Sequence, residues 1–293
     1  DAMRNLDYSP NPWAQKLASG KSGIIALLID DAEASYIMSV MQGIMDAVAG
    51  TTYTVSVVRC RIDDPNDVQH VLKMAEHRQI DGCIITPPCD NAVDLLKGLH
   101  EQDMPLVLLT PHKHNTDYTW VAAEDEQGSY MATRHLITLG HHRIAYIQGN
   151  RRHQASWDRL AGYQRAMDEA GLTIPDEYVL QGEWSFASGV DCAERLLALT
   201  PAPTAIVTGG DEIAAGVLQS ALKRGLTLPR DLSVVGFDNS PLTQKVWPPL
   251  TTVEQPLSAI TARAMEILLS NLTQPGDQTH HIVPTRLIVR EST

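Results

Sequence analysis

The residue types that could carry out a reaction are all present in this 293-residue chain, but their spacing defeats each catalytic reading. His153, Ser156 and Asp158 lie in one short stretch, yet no GxSxG-type elbow presents the serine as a nucleophile. Gly20-Lys21-Ser22 matches the end of a phosphate-binding loop, but the partner glycine would stand at position 15, which is Gln15. That stretch also precedes an apolar run instead of following one. "TGGDEIAAG" does follow one, but Gly209, Gly210 and Gly216 lack the GxGxxG spacing that seats a pyrophosphate on a helix end. The pairs His141-His142 and His280-His281 are adjacent residues whose side chains diverge, with no third ligand nearby, so no metal is expected. Without a nucleophile, an acid/base set, a cofactor motif or a metal site, the chain reads as a binding protein and not as an enzyme.

A different set suits a polyhydroxylated ligand. Carboxylates accept hydrogen bonds from vicinal hydroxyls, a guanidinium donates a planar fork, and an indole covers the apolar side of a sugar ring. Asp30, Thr86, Trp184, Asp211 and Asp238 each stand just after an apolar run, and Arg159, in "SWDRLAGY", supplies the fork.

Those runs are "IIALLI" (24–29), "YTVSVV" (53–58), "GCIIT" (82–86) and "PLVLL" (105–109), alternating with helical periodicity near 35–49, 67–79 and 91–102. Such alternation predicts a parallel α/β unit. The rhythm restarts with "RIAYIQ" (143–148), "YVLQ" (178–181), "TAIVT" (204–208) and "SVVGF" (233–237), with helices near 156–171, 186–199 and 211–225. Two Rossmann-like lobes with parallel sheets are therefore expected. A further helix near 257–272 and a closing strand in "TRLIVRE" imply that the chain crosses back between them. The expected division is 24–124 plus 255–282 for one lobe and 125–254 plus 283–293 for the other. Ligands of open α/β sheets bind outside the carboxyl ends of the strands, which places the cleft between facing strand ends.

Bulk properties limit the partners. A hydrophobic content of 43% supports large cores, and a net charge of −12 makes the body repel nucleic acid unless a local basic element intervenes. Cys60, Cys83, Cys89 and Cys192 have no CxxC spacing, which fits reduced thiols in the cytosol. No signal-peptide core opens the sequence and no stretch is apolar enough to span a bilayer.

Residues 8–22, "YSPNPWAQKLASGKS", encode a short helix: Asn11 is a good N-cap, Pro12 suits the first helical position, and Ser19-Gly20 stops the run. This stretch, with "HLITLGHHRIAYIQG", "DRLAGYQRAM", "DLSVVGFDNSP", "PPLTTVEQP" and "TRLIVREST" in order, resembles the LacI/GalR family of bacterial transcription regulators over essentially the whole chain. The resemblance implies a periplasmic-binding-protein-like core, with residues 1–23 forming the end of a DNA-binding domain and a hinge helix. A helix-turn-helix domain absent from this sequence would precede it. It further implies that Arg159 and Asp238 hold typical effector-binding positions, that Trp184 in "GEWSFASG" stacks on a sugar, and that Asn11, Ala14, Gln15 and Leu17 form the DNA-binding hinge, Leu17 as the wedge between base pairs. Three positions depart from the pattern. Gly210 replaces an asparagine that often contacts sugar, Pro111 a frequent aspartate, and Gln15 a frequent arginine.

The expected function is the effector-binding and dimerisation core of a sugar-responsive repressor: cytoplasmic, homodimeric, without membrane contact. Its partners are a mono- or disaccharide and operator DNA. Ile37, Met38, Met41, Ile44 and Met45 are expected on the dimer face. The alternative is a periplasmic sugar-binding protein of a transporter, since the core fold is shared; Lys16 and Lys21 in the arm favour the regulator.

Overall fold

A computed structural model describes residues 21–30, 34–111, 117–274 and 276–293. The hinge positions Asn11, Ala14, Gln15 and Leu17 lie outside the described residues.

The first sheet contains β1 (Ile24–Ile29), β2 (Thr54–Arg59), β3 (Gly82–Ile85), β4 (Leu106–Leu109), β5 (Trp120–Ala123) and β11 (His280–Val283), in the order β11-β5-β4-β3-β1-β2. All its pairings are parallel. Its helices are α1 (Ala34–Val48), α2 (Pro65–Glu76), α3 (Val93–Glu101) and α8 (Leu257–Asn271). The second sheet has the order β12-β10-β9-β8-β6-β7. It is built from β6 (Ile144–Gln148), β7 (Val179–Gln181), β8 (Ala205–Thr208), β9 (Ser233–Asp238), β10 (Thr251–Glu254) and β12 (Arg286–Ile288). Around it lie α4 (Asp125–Thr138), α5 (Gln154–Glu169), α6 (Phe186–Leu196) and α7 (Asp211–Lys223). Only the β10–β12 pairing in this sheet is antiparallel among the described residues.

The central strands are apolar throughout because helices cover both faces. Ile25, Ala26, Leu27 and Leu28 of β1 are fully buried, and Ala26 and Leu28 face a different cluster from Ile25 and Leu27, as the period of two in a strand requires. Caps fix where helices begin. Asp64 accepts from the Asn66 amide with Pro65 in the first turn of α2, and Ser185 accepts from the Ser188 amide at the start of α6.

Four elements are not marked as such by sequence periodicity. β5 and β11 are short, α4 carries buried polar residues such as Ser129 and Thr133, and β10 falls in a stretch whose prolines read as extended loop. α4 packs closely on α5 because Gly162 has no side chain: a Cβ there would collide with the carbonyl of Glu126. Ile44 is also a correction. It is fully buried in the first lobe with Val40 and Met265, whereas Met38 and Met45 are 69% and 58% exposed.

The remaining sequence signals resolve as structure. All four cysteines are free and buried. The His141 ring contacts the hydroxyls of Thr204 and Ser233, and His280 stacks on Trp120 at 4.8 Å. Among the described residues no helix is long and apolar enough to cross a membrane, and no group of three His, Cys, Asp or Glu is arranged to hold a metal.

Candidate functional site: a cavity between the two sheets

A cavity of about 380 Å³ opens where the carboxyl ends of both sheets meet, a size typical of small-molecule sites. Ser35 and Tyr36 from the start of α1, Pro87 after β3 and Thr110 after β4 line it from the first sheet. From the second sheet come Asn150, His153 and Arg159 after β6, Trp184 after β7, Gly210, Asp211 and Glu212 after β8, Asp238 and Ser240 at the end of β9, and Gln255 after β10.

Arg159 anchors the floor. Its side chain is 4% exposed, its Nε donates to Asp125 Oδ1 at 2.7 Å, and its Nη1 donates to the Gly209 carbonyl and to Asp238 Oδ1 at 3.2 Å. The guanidinium carbon lies 3.6 Å from the centre of the Phe237 ring and 5.6 Å from that of Trp184. Burial opposes its charge, but the carboxylates of Asp125 and Asp238 outweigh that, so its pKa lies above the ordinary arginine value. Most of the fork is thus used to hold the wall together, and Nη2 is the nitrogen with no hydrogen bond among the described residues.

Asp211 opens α7 and is almost fully buried, accepting from Thr252 Oγ1 at 2.6 Å and from the Ser240 amide at 2.7 Å. Burial and the neighbouring Asp238 carboxylate push its pKa up to about 8, against those two hydrogen bonds, which pull it down. Asp238 is half-buried with a φ of 112°, a left-handed conformation costly for a residue with a Cβ, and Asn239 follows at 55°. Such backbone persists when its surroundings demand it, and here it brings the carboxylate to Arg159.

Trp184 is half-buried and lies against Gly149 so closely that a Cβ on that glycine would overlap its benzo ring. Its Nε1 is buried with no hydrogen-bond partner among the described residues, a state that costs on the order of 1–3 kcal/mol. His153 meets the indole edge-on at 5.8 Å.

Four of the six residues singled out from sequence, Arg159, Trp184, Asp211 and Asp238, line this one cavity. The other two do not. Thr86 is fully buried and its hydroxyl donates back to the Leu28 carbonyl at 2.9 Å, while Asp30, half-buried after β1, lies outside the lining. Tyr36 and Thr110 take that side instead. Thr110 and Asn150 follow strands as the others do, so the same positional signal marks them. Asp125, Tyr36 and Gln255 carry no such mark, being set by α4, by α1 and by a strand that reads as loop.

Comparison with known proteins bears on this arrangement. Residues 133–293 match the periplasmic binding protein-like domain. Catabolite control protein A of Priestia megaterium is 32% identical over 100% of this chain and 88% of its own length. The transcriptional repressor PurR of Erwinia tasmaniensis is 31% identical over 99% and 86%. Among solved structures, a LacI-family regulatory protein from Chloroflexus aggregans is 28% identical over 92% of this chain and 98% of its own, with a TM-score of 0.84. The regulator CelR in its cellobiose complex, 24% identical over 100% and 88%, shares the fold with a TM-score of 0.85.

Proposed function

The chain belongs to the LacI family of transcriptional regulators and contains their effector-binding core, and from that premise we propose that its cavity binds a mono- or disaccharide whose occupancy is read out as operator affinity. The observation that carries this is the convergence of an indole, a guanidinium, four carboxyl groups and several hydroxyls on one cavity between the sheets. Such a lining satisfies hydroxyls on the rim of a sugar ring while covering its apolar face.

On this reading the two sheets act as lobes, 24–124 with 255–282 and 125–254 with 283–293, that close on the ligand. The protein works in the cytoplasm as a homodimer, turns nothing over, and reaches the operator through the hinge around Asn11, Ala14, Gln15 and Leu17. An isolated helix of two turns is marginal in water, so the hinge folds on DNA and its folding free energy is what the lobes modulate.

Calorimetric titration of a panel of mono- and disaccharides tests the reading. At least one should bind with saturable heat. Trp184→Leu and Arg159→Lys should each weaken it by about 1.5–3 kcal/mol, roughly tenfold or more. Lysine keeps a cation beside Asp125 and Asp238 and so avoids stranding them, whereas Arg159→Ala would also break a buried ion pair and cost stability. Unchanged affinity in both variants would remove the cavity from the account.

A further inference from the structure

Gly210 is the departure that the cavity makes meaningful. Its φ of −163° is extended backbone that any residue adopts, so no turn demands glycine there. Nor does crowding: a Cβ at this position would lie 3.4 Å from Asp238 Oδ2 and 3.5 and 3.7 Å from two carbons of the Trp184 benzo ring, which are ordinary contacts. The missing side chain therefore leaves a gap bounded by a carboxylate oxygen on one side and an aromatic ring on the other. The carboxylate oxygen on one wall favours a cation through opposite charge.

The charge of the described lining points the same way. Glu183, Glu212 and Asp238 line the cavity as carboxylates, Asp211 being held protonated by burial, while Arg159 is the one permanent cation among the described lining residues and is also bonded to Asp125 behind the wall. An anionic ligand meets repulsion here. A neutral one gains hydrogen bonds to the carboxylates but no attraction between opposite charges.

We propose that the effector carries a protonated amine seated beside Gly210 between Asp238 and Trp184, making it an aminated saccharide and neither a neutral sugar nor a sugar phosphate. This rests on the reading of the cavity as a saccharide site.

The test is calorimetry at a slightly acidic pH, where sugar amines are charged, with glucosamine, galactosamine and mannosamine. Each is compared with its parent hexose, its N-acetyl form and the hexose 6-phosphate. At least one hexosamine should bind about tenfold or more tighter than its three counterparts, the weight of one charge-assisted contact. Gly210→Asn fills the gap while supplying a favoured N-cap for α7, so the variant should fold, and it should lose the preference for the hexosamine over its parent hexose. A hexose or its phosphate binding as tightly as the amine overturns the proposal and leaves the saccharide reading standing. Binding of no member of the panel overturns the proposal, and binding of none of the wider mono- and disaccharide panel overturns the saccharide reading as well.

Discussion

Asp211 and Arg159 show how single residues in the cavity trade stability for readiness. Arg159 is compensated on two sides, whereas Asp211 shares its buried corner with a second carboxylate at Asp238. A carboxyl whose folded pKa is raised binds its proton more tightly in the folded state. Its contribution is complete below the unfolded value of roughly 4 and is lost as pH rises through the folded value of about 8. Asp211→Asn removes that dependence while keeping one oxygen to accept from the Ser240 amide and turning its NH2 toward the Thr252 hydroxyl, which can accept. Melting temperatures of both proteins between about pH 5 and about pH 9 should show the variant gaining on the wild type as pH increases. Parallel curves would mean that Asp211 ionises normally. Residues at this scale were legible where a strand end exposes them: Arg159, Trp184, Asp211 and Asp238 converge. Thr86 shows the limit of that signal, because a hydroxyl after a strand can bond back to the neighbouring strand's carbonyl as easily as to a ligand.

At the scale of elements, the cavity depends on two helices that hold Arg159 from either side. α4 supplies Asp125 at its first turn and α5 supplies Arg159, and the Asp125 to Arg159 bond needs their backbones in close approach. Gly162 permits it. Gly162→Ala should force the helices apart, lowering stability by about 1–3 kcal/mol and the melting temperature by several degrees. It should also weaken ligand binding, since Arg159 moves with α5. A variant with unchanged melting temperature and affinity would show that the approach is not required. The apolar runs identify the central strands because burial on both faces leaves no alternation to obscure. α4 is harder to read for the opposite reason: Gly128, Ser129 and Thr133 on its buried face break the apolar stripe that marks a helix.

At the scale of the molecule, the chain passes between the sheets after β5, after β10 and again between β11 and β12, so the lobes are tied by three segments on one side of the cavity. Across the cleft, Arg152 pairs with Asp63 at 3.0 Å and its carbonyl accepts from Asn91 Nδ2 at 3.0 Å. Asp63 is 81% exposed, and such a surface pair contributes at most about 1 kcal/mol. Contacts this weak let a bound ligand decide how far the lobes close. For the dimer, the exposed Met38 and Met45 on α1 and Val57 on the edge strand β2 are apolar residues of the first lobe that suit the proposed self-complementary face. Sedimentation should give twice the 32.1 kDa chain mass at tens of micromolar, and Met38→Glu with Met45→Glu should shift it toward the monomer. A wild-type monomer would contradict the proposed face.

On the proposed function, filling the cavity changes the hold on DNA. With a net charge of −12 the body itself repels the duplex, which supports the proposal that the hinge reaches the operator. The direct measurement is a titration of operator DNA, followed by fluorescence anisotropy, with the regulator carrying its DNA-binding head, with and without a saturating concentration of the saccharide that calorimetry identifies. Coupling free energies of this kind amount to about 1–3 kcal/mol, so the operator Kd should move by about 5- to 150-fold, and saccharide affinity should move by the same factor when operator is bound. Arg159→Lys should require correspondingly more saccharide for the same shift. An operator Kd identical with and without bound saccharide would contradict the account.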